Sequence, residues 1–262
     1  KWKPVNFEQK FYGPTSLREA LAHSRNVVTV KLMQKIGIKS SISLARNLGI
    51  TSNLEENLSI SLGSSGTTLY ELTSAYSAFA NMGRLIKPTA IRNIKNRDGE
   101  VLFTSVPEIT QPISPGTAHI ITSLMESVIQ HGTATKVKAL KRPVAGKTGT
   151  TNNYVDAWFM GYTPELVTGV WVGKDKDEPL GRNETGSRAA IPIWLQFMQE
   201  ALANKPIINF PVPSDIQFLK VLSKSGDPAK FGDTDSTFEI FLQDYLPEKE
   251  QPFLSQAQEE EF

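Results

Sequence analysis

The sequence predicts an α/β chain of the α+β kind, with an antiparallel sheet flanked by helices. Three observations predict it. Residues 144–172 read as three short strands separated by turn residues. Ahead of them stand several helical stretches, two opened by capping boxes and others stopped by glycine. After them, residues 189–202 form a helix with one wide apolar face, suited to lying on that sheet.

In chain order, Ser16-Leu17-Arg18-Glu19 is a capping box: the serine side chain accepts from the amide three residues on, and the glutamate reaches back. Leu17, Ala20 and Leu21 follow at helical spacing, and the helix should end near Ser24-Arg25-Asn26. A second helix is expected from Val27 to Ile36, stopped by Gly37, and a third from Ser40 to Leu48, stopped by Gly49. Thr68-Leu69-Tyr70-Glu71 repeats the capping box and opens a helix through Leu72, Ala75, Tyr76 and Phe79 to Met82, with Gly83 just beyond it. A hairpin follows, with 91–94 and 101–103 flanking Asp98-Gly99. Ser114-Pro115 opens the next helix, with Ile120, Ile121, Leu124, Met125 and Val128 as its expected buried stripe.

The meander comprises 144–150, 156–162 and 166–172, with Asn152-Asn153 and Thr163-Pro164 between the strands. Trp158, Met160 and Tyr162 alternate with Ala157, Phe159 and Gly161, which reads as a half-buried strand. Ile191, Trp194, Leu195, Met198 and Leu202 form the apolar face of the closing helix. Trp158, Phe159, Trp171 and Trp194 are assigned to the core between sheet and helix. Residues 216–246 show weaker strand patterns, and 247–262 are acidic and polar and expected to be disordered. The expected organisation is therefore a main portion over 1–205, a β-rich extension over 206–246 and the tail.

Composition excludes several function classes. The 262 residues are 39% hydrophobic, enough for a sizeable core. Lysine and arginine number 28 against 27 acidic residues, a balance unlike the clustered basic face of a nucleic-acid binder, so no nucleic-acid partner is expected. The one basic run, Lys136, Lys138, Lys141 and Arg142, reads as a solvated face. With no cysteine there can be no disulfide, thiolate catalysis or cysteine-type zinc site. His23, His119 and His131 are scattered without metal-ligand spacing, so neither a metal nor a cofactor is expected. His23 reads as a helix-end residue and Asp156 as a turn or strand-end partner. No run approaches the ~18 apolar residues of a membrane span, and no signal sequence is visible. The chain opens at Lys1-Trp2-Lys3-Pro4 without an initiator methionine and is expected to be a piece of a longer protein.

Two short motifs could carry chemistry. Lys147-Thr148-Gly149-Thr150 ends a strand; K-T-G, with S-x-x-K and S-D-N, marks class A β-lactamases and penicillin-binding proteins. Alone, such a tripeptide reads equally well as a strand ending in a turn. Ser24-Arg25-Asn26 is an S-x-N after a short helix, and alone reads as a helix end whose serine and asparagine satisfy backbone groups. Their surroundings change the odds. Phe11-Tyr12-Gly13, Ser16 to Leu21 and Ser24 to Val28 come first. Gly132-Thr133-Ala134, Val144 to Thr151, Asp156 to Pro164 and Val170 to Gly173 follow in order. This assembly closely resembles the transpeptidase domain of class A (bifunctional) penicillin-binding proteins, over roughly Trp2 to Leu202.

The resemblance implies a penicillin-binding protein/serine β-lactamase-like transpeptidase fold, incomplete in this chain. It implies serine-type acyl transfer on peptidoglycan stem peptides ending in D-Ala-D-Ala, with β-lactams binding as mimics. It also implies a site on the outer face of the cytoplasmic membrane or in the periplasm, anchored through a missing N-terminal region. By the same resemblance, Lys147 presents a cation to the substrate carboxylate, and Thr148 and Thr150 donate hydroxyls to it. Gly149 lets a substrate backbone lie close, and the Thr150 amide forms half of the oxyanion hole. Ser24 relays a proton to the leaving amine, Asn26 bonds the substrate amide and the base, and Arg25 points away.

One departure matters. No S-x-x-K occurs anywhere in the chain. Thr133-x-x-Lys136 and Thr135-x-x-Lys138 have the spacing with threonine, but downstream of where the family has its serine. The expectation is that the nucleophile lies in the missing N-terminal part of the same protein and that this chain alone is inactive. Two other readings remain: a serine β-lactamase or D,D-carboxypeptidase of the same fold, and a non-catalytic cell-wall scaffold.

Overall fold

The computed structural model describes residues 2–247. The chain divides into two units, Lys1–Ser214 and Asp215–Phe262. All but Pro247 of the expected tail lies outside the described residues.

Four helices open the first unit: α1 (Leu17–Ala22), α2 (Asn26–Ile36), α3 (Ile38–Asn47) and α4 (Leu69–Ala80). Two small antiparallel pairs come next, β1 (Leu85–Ile86) with β4 (Ile109–Thr110), and β2 (Asn93–Lys95) with β3 (Val101–Thr104). The long helix α5 (Pro115–Gln130) then leads into β5 (Ala145–Thr150), β6 (Ala157–Tyr162) and β7 (Val167–Val172), and α6 (Ile191–Ala201) closes the unit. The second unit is a hairpin of β8 (Ile216–Leu222) and β9 (Ser236–Leu242). Among the described residues no helix is long and apolar enough to cross a membrane.

The starts and stops have local causes. At α4 the capping box is complete, with the Thr68 side chain accepting from the Glu71 amide and the Glu71 side chain receiving the Thr68 amide. At α1 Ser16 accepts from the Glu19 amide, while the Glu19 carboxylate faces His131 and His23 at 3.0 and 3.3 Å. Gly37, at φ 90°, separates α2 from α3. Gly83 is both a turn residue at φ 84° and a close approach, since a Cβ there would stand 2.2 Å from the Ile113 carbonyl oxygen.

The sheet runs β5-β6-β7, all antiparallel, so β5 is an edge among the described residues. On one face Phe159 meets Trp194 of α6 edge-on at 5.1 Å. That cluster continues through Val128, Val137, Ile191 and Met198. Trp194 donates its indole N–H to the Thr168 carbonyl at 3.0 Å, so it enters the core with its polar atom satisfied. On the other face Tyr162, Ala145 and Met125 pack with Tyr76 and Phe79. Burying one such side chain contributes roughly 1.5–3 kcal/mol.

Four expectations are corrected. β6 is not half-buried: every residue but Trp158 is fully buried, because helices cover both faces. Trp171 is 42% exposed. It and Trp158 pair at the sheet's end rather than in the core. On α5 the buried residues include Thr122, Met125, Val128 and Ile129, whereas Ile120, Ile121 and Leu124 are half-buried. Arg142 is not part of a solvated face: its guanidinium caps the carboxyl end of α6, donating to the carbonyls of Leu202, Lys205 and Pro206 at 2.6, 2.6 and 2.7 Å.

Candidate active site

The corner after α1 is built by a Schellman turn. Arg25 N–H returns to the Ala20 carbonyl at 2.8 Å and Ser24 N–H to that of Leu21 at 3.2 Å. The motif needs a left-handed residue, and Ser24 takes that place with φ 55°. Glycine would sit there without strain; a side chain costs roughly 1–2 kcal/mol. The turn aims the Ser24 hydroxyl at β5, where Lys147 Nζ donates to its Oγ at 2.9 Å across 123 positions of sequence. Lys147 also donates to the Thr148 carbonyl at 3.1 Å. Burial penalises the ammonium and lowers the pKa of Lys147 to about 8. The amine is thus poised to give or take a proton near neutral pH.

Beyond Ser24, α2 starts without a cap from Arg25, its own N-cap residue. Asn6 does that work from elsewhere: its Oδ1 accepts from the Val27 amide at 3.1 Å. Asn26 donates from Nδ2 to the Val5 carbonyl at 3.0 Å, which engages its amide with the N-terminal segment. Arg25 pairs with Glu8 at 3.0 Å and lies over the Tyr12 ring.

The α5 end supplies a second hydroxyl. Gly132 passes so close to α1 that a Cβ would stand 2.2 Å from the Ala22 carbonyl oxygen. Thr133 N–H donates to that same oxygen at 3.1 Å. The Thr133 and Thr148 hydroxyls lie 2.7 Å apart. Further along β5, Thr150 Oγ1 accepts the Gly186 N–H at 3.1 Å, which leaves its own O–H to donate. Gly186 is itself wedged against the strand, since a Cβ would meet the Trp158 and Gly149 carbonyl oxygens at 2.2 and 2.7 Å. Gly149 lies on β5 opposite Trp158.

The structure therefore brings Ser24, Lys147 and Thr148 together, places Thr150 on the same strand, and directs Asn26 toward Val5. Lys136 Nζ reaches the Ser187 carbonyl at 3.4 Å. Asp156 accepts the Trp171 indole N–H at 2.7 Å, a strand-end role. Thr133, Gly186 and Asn6 carry parts of this geometry that the two motifs did not single out. For Thr133 the signal was its place in the Gly-Thr-Ala block; nothing local marks Asn6 or Gly186. Among the described residues no group of histidine and carboxylate side chains could hold a metal ion.

Comparison with known proteins gives consistent results. The family model described as the penicillin binding protein transpeptidase domain matches residues 1–199. Penicillin-binding protein 1A of Aquifex aeolicus is 40% identical over 214 residues, covering 82% of this chain and 29% of that protein. Penicillin-binding protein 1A of Pseudomonas aeruginosa is 35% identical, covering 94% of this chain and 36% of that protein. This chain thus spans about a third of the length of these relatives. Among solved structures, penicillin-binding protein 1A from Haemophilus influenzae superposes with a TM-score of 0.88 at 27% identity, over 95% of this chain and 43% of that one. PonA1 from Mycobacterium tuberculosis, in complex with penicillin V, superposes with a TM-score of 0.71 at 30% identity, over 80% of this chain and 62% of that one. By fold and by sequence, the chain belongs to the penicillin-binding protein transpeptidase domain family.

Proposed function

We propose that this chain is the carboxy-terminal part of a serine-type D,D-transpeptidase that cross-links peptidoglycan and is acylated by β-lactams. Residues 1–205 carry the transpeptidase portion and 206–246 a β-rich extension. The nucleophilic serine and its lysine lie on another segment of the parent protein. The observation that carries the reading is the 2.9 Å bond from Lys147 to the strained Ser24.

In this reading the parent's serine gives its proton to the lysine of its own segment as its oxygen attacks the penultimate D-alanine carbonyl, and a tetrahedral oxyanion forms. The Thr150 N–H is one of two donors to that oxyanion. Lys147 and the Thr148 and Thr150 hydroxyls hold the terminal carboxylate, and Gly149 lets the donor peptide lie against the strand. Ser24, hydrogen-bonded to Lys147, hands a proton to the departing D-alanine amine. The amine of a second stem peptide then takes the acyl group, and the serine is regenerated. Asn26 is assigned to the donor amide: one N–H of its side chain is engaged by the Val5 carbonyl, and its other N–H and Oδ1 remain for the substrate. The site works outside the cytoplasm, where peptidoglycan is built.

Intact-mass measurement after exposure to penicillin tests the reading. The full-length parent should gain one acyl adduct on a serine outside these residues, and this chain alone should gain none. An adduct on this chain alone would show the nucleophile to be misplaced, and a parent that takes no adduct would overturn the transpeptidase reading. Rapid turnover of a chromogenic cephalosporin by the parent would identify a β-lactamase instead.

A further inference from the structure

We propose that Glu19, His23 and His131 form a clasp that positions the hydroxyls of Ser24 and Thr133 against β5. This rests on the function proposed above and adds three positioning residues to it. The clasp joins two helix ends. Glu19 lies in the first turn of α1, and His23 is the C-cap of the same helix. His131 is the C-cap of α5, 112 residues away from Glu19. The Nε2 of His131 is hydrogen-bonded to Glu19 Oε1 at 3.0 Å, and the Nε2 of His23 stands 3.3 Å from Oε2 at ion-pair distance, so one carboxylate faces both rings. The ring centroids are 6.0 Å apart.

The chain neighbours of the two histidines give the arrangement its meaning. The residue after His23 is Ser24, whose hydroxyl meets Lys147. After His131 come Gly132 and Thr133, whose hydroxyl meets Thr148. The helix ends that the clasp ties are thus the ones that deliver both hydroxyls to the K-T-G strand. The backbone couples them as well: Thr133 N–H binds the Ala22 carbonyl, and Gly132 has no room for a side chain beside that oxygen. Arg18 adds a parallel tie one turn back along α5, donating to the Ser123 carbonyl at 2.8 Å and the Ser127 hydroxyl at 2.9 Å.

A neutral His131 imidazole with its hydrogen on Nε2 can donate to the Glu19 carboxylate, so this link does not depend on a charged ring. The three side chains are 36–49% exposed. Contacts so open to water contribute little to global stability. They can nonetheless fix the angle of a left-handed serine whose hydroxyl must stay within hydrogen-bond reach of Lys147. A displacement of about 1 Å at such a position is enough to slow chemistry severely.

The test uses the full-length parent and penicillin, with the noncovalent dissociation constant and the first-order acylation rate resolved from the concentration dependence. Glu19→Ala and His131→Leu should each slow the acylation step about tenfold, leaving the dissociation constant and melting temperature unchanged. His131→Gln keeps an N–H donor at the ε position and should recover most of the rate. The double variant should be no slower than either single one, because both break the same link. Single variants that acylate at the unaltered rate would overturn the clasp, as would leucine and glutamine variants that are equally slow. Effects that multiply in the double variant would overturn it too. An unaltered parent that takes no penicillin would instead remove the proposed function, and the clasp with it.

Discussion

On one side of the candidate site, β5 is registered against β6 residue by residue, from Ala145 opposite Tyr162 to Thr150 opposite Ala157, and β7 continues the ladder. On the other, Ser24 is held by one turn, a left-handed backbone and a few side chains from distant segments. The ladder spreads position over many backbone bonds, so a side chain on β5 can be exchanged for its chemistry alone. At the corner each contact is one of few, and chemistry and geometry change together. In the function proposed above the rigid strand is the part that holds substrate and the strained, lightly tethered turn the part that passes a proton.

The largest expected effect tests the rigid side. Lys147→Ala should leave the fold intact while lowering penicillin acylation of the parent by about 10²–10³-fold, the usual consequence of removing one aligned charged donor. An acylation rate within severalfold of the unaltered protein would show that β5 does not hold the substrate. The same lysine should reveal itself in stability. Its pKa is lowered by burial to about 8 in the folded chain and returns to roughly 10.4 on unfolding. Between those values the unfolded state binds more protons, so stability gains from this group as pH rises through that window. Lys147→Met should lose that gain, and melting curves at pH 7 and pH 10 compare the two.

Next in size is a probe of the seam between the two sides. Gly132→Ala places a methyl against the Ala22 carbonyl oxygen and the Val128 Cα, at 2.2 and 2.8 Å, both backbone atoms that cannot yield locally. It should destabilise the chain by about 1–3 kcal/mol and slow acylation by displacing Ser24 and Thr133. Gly63→Ala, at φ 83° with nothing within 4 Å of the added Cβ, carries only backbone strain and should leave acylation untouched. If both substitutions slow acylation equally, the seam does not link the corner to β5.

At the corner itself, stability and activity should part. Ser24→Gly removes the cost of a side chain at φ 55° and should be about 1 kcal/mol more stable than Ser24→Ala, which loses the same hydrogen bond to Lys147. Ser24→Ala keeps the strain. Both remove the hydroxyl and should slow acylation alike, as rate measurements beside melting temperatures will show. A glycine variant no more stable than the alanine one would mean that the turn relaxes when the Lys147 bond is lost.

How much of this was legible differs between the two sides for physical reasons. The three strands of the meander were readable within a residue or so at each end, because turn residues punctuate them. The burial of β6 was misread because its alternation is one of size, not polarity. Gly161 is small because Phe159 and Trp194 fill the space its side chain would occupy. Helix starts were readable wherever the cap is local, as at Ser16, Thr68 and Ser114. What the local sequence did not show is the capping partner where it comes from afar: at the start of α2 Asn6 reaches Val27 across 21 residues, and at the end of α6 Arg142 reaches Leu202 across 60. Ser24 and Lys147 were singled out by resemblance, and only three-dimensional packing brings them to 2.9 Å. The Glu19 carboxylate read as half of a local cap and instead faces two histidines.

The smallest predicted effect separates the helical frame from both sides of the site. Glu71 receives the Thr51 amide at 2.8 Å and the Ser52 amide at 3.0 Å, along with the hydroxyls of Ser52, Thr51 and Thr67. The hydrogen bonds from the Ser52 and Thr51 hydroxyls, foremost among several, hold its carboxyl well below the usual carboxylate range. Because the folded pKa is depressed, the stabilisation is complete above the unfolded value of about 4.3. It is lost as pH falls from there toward the folded value. Glu71→Gln should therefore cost about 1 kcal/mol at neutral pH, the scale of a lost helix cap, and the gap to the unaltered chain should close in acid. Acylation should not change, since the carboxylate ties residues 51–52 to the start of α4 and touches neither Ser24 nor β5. A stability gap that persists unchanged at pH 3 would mean that the glutamate acts through packing and not through its charge.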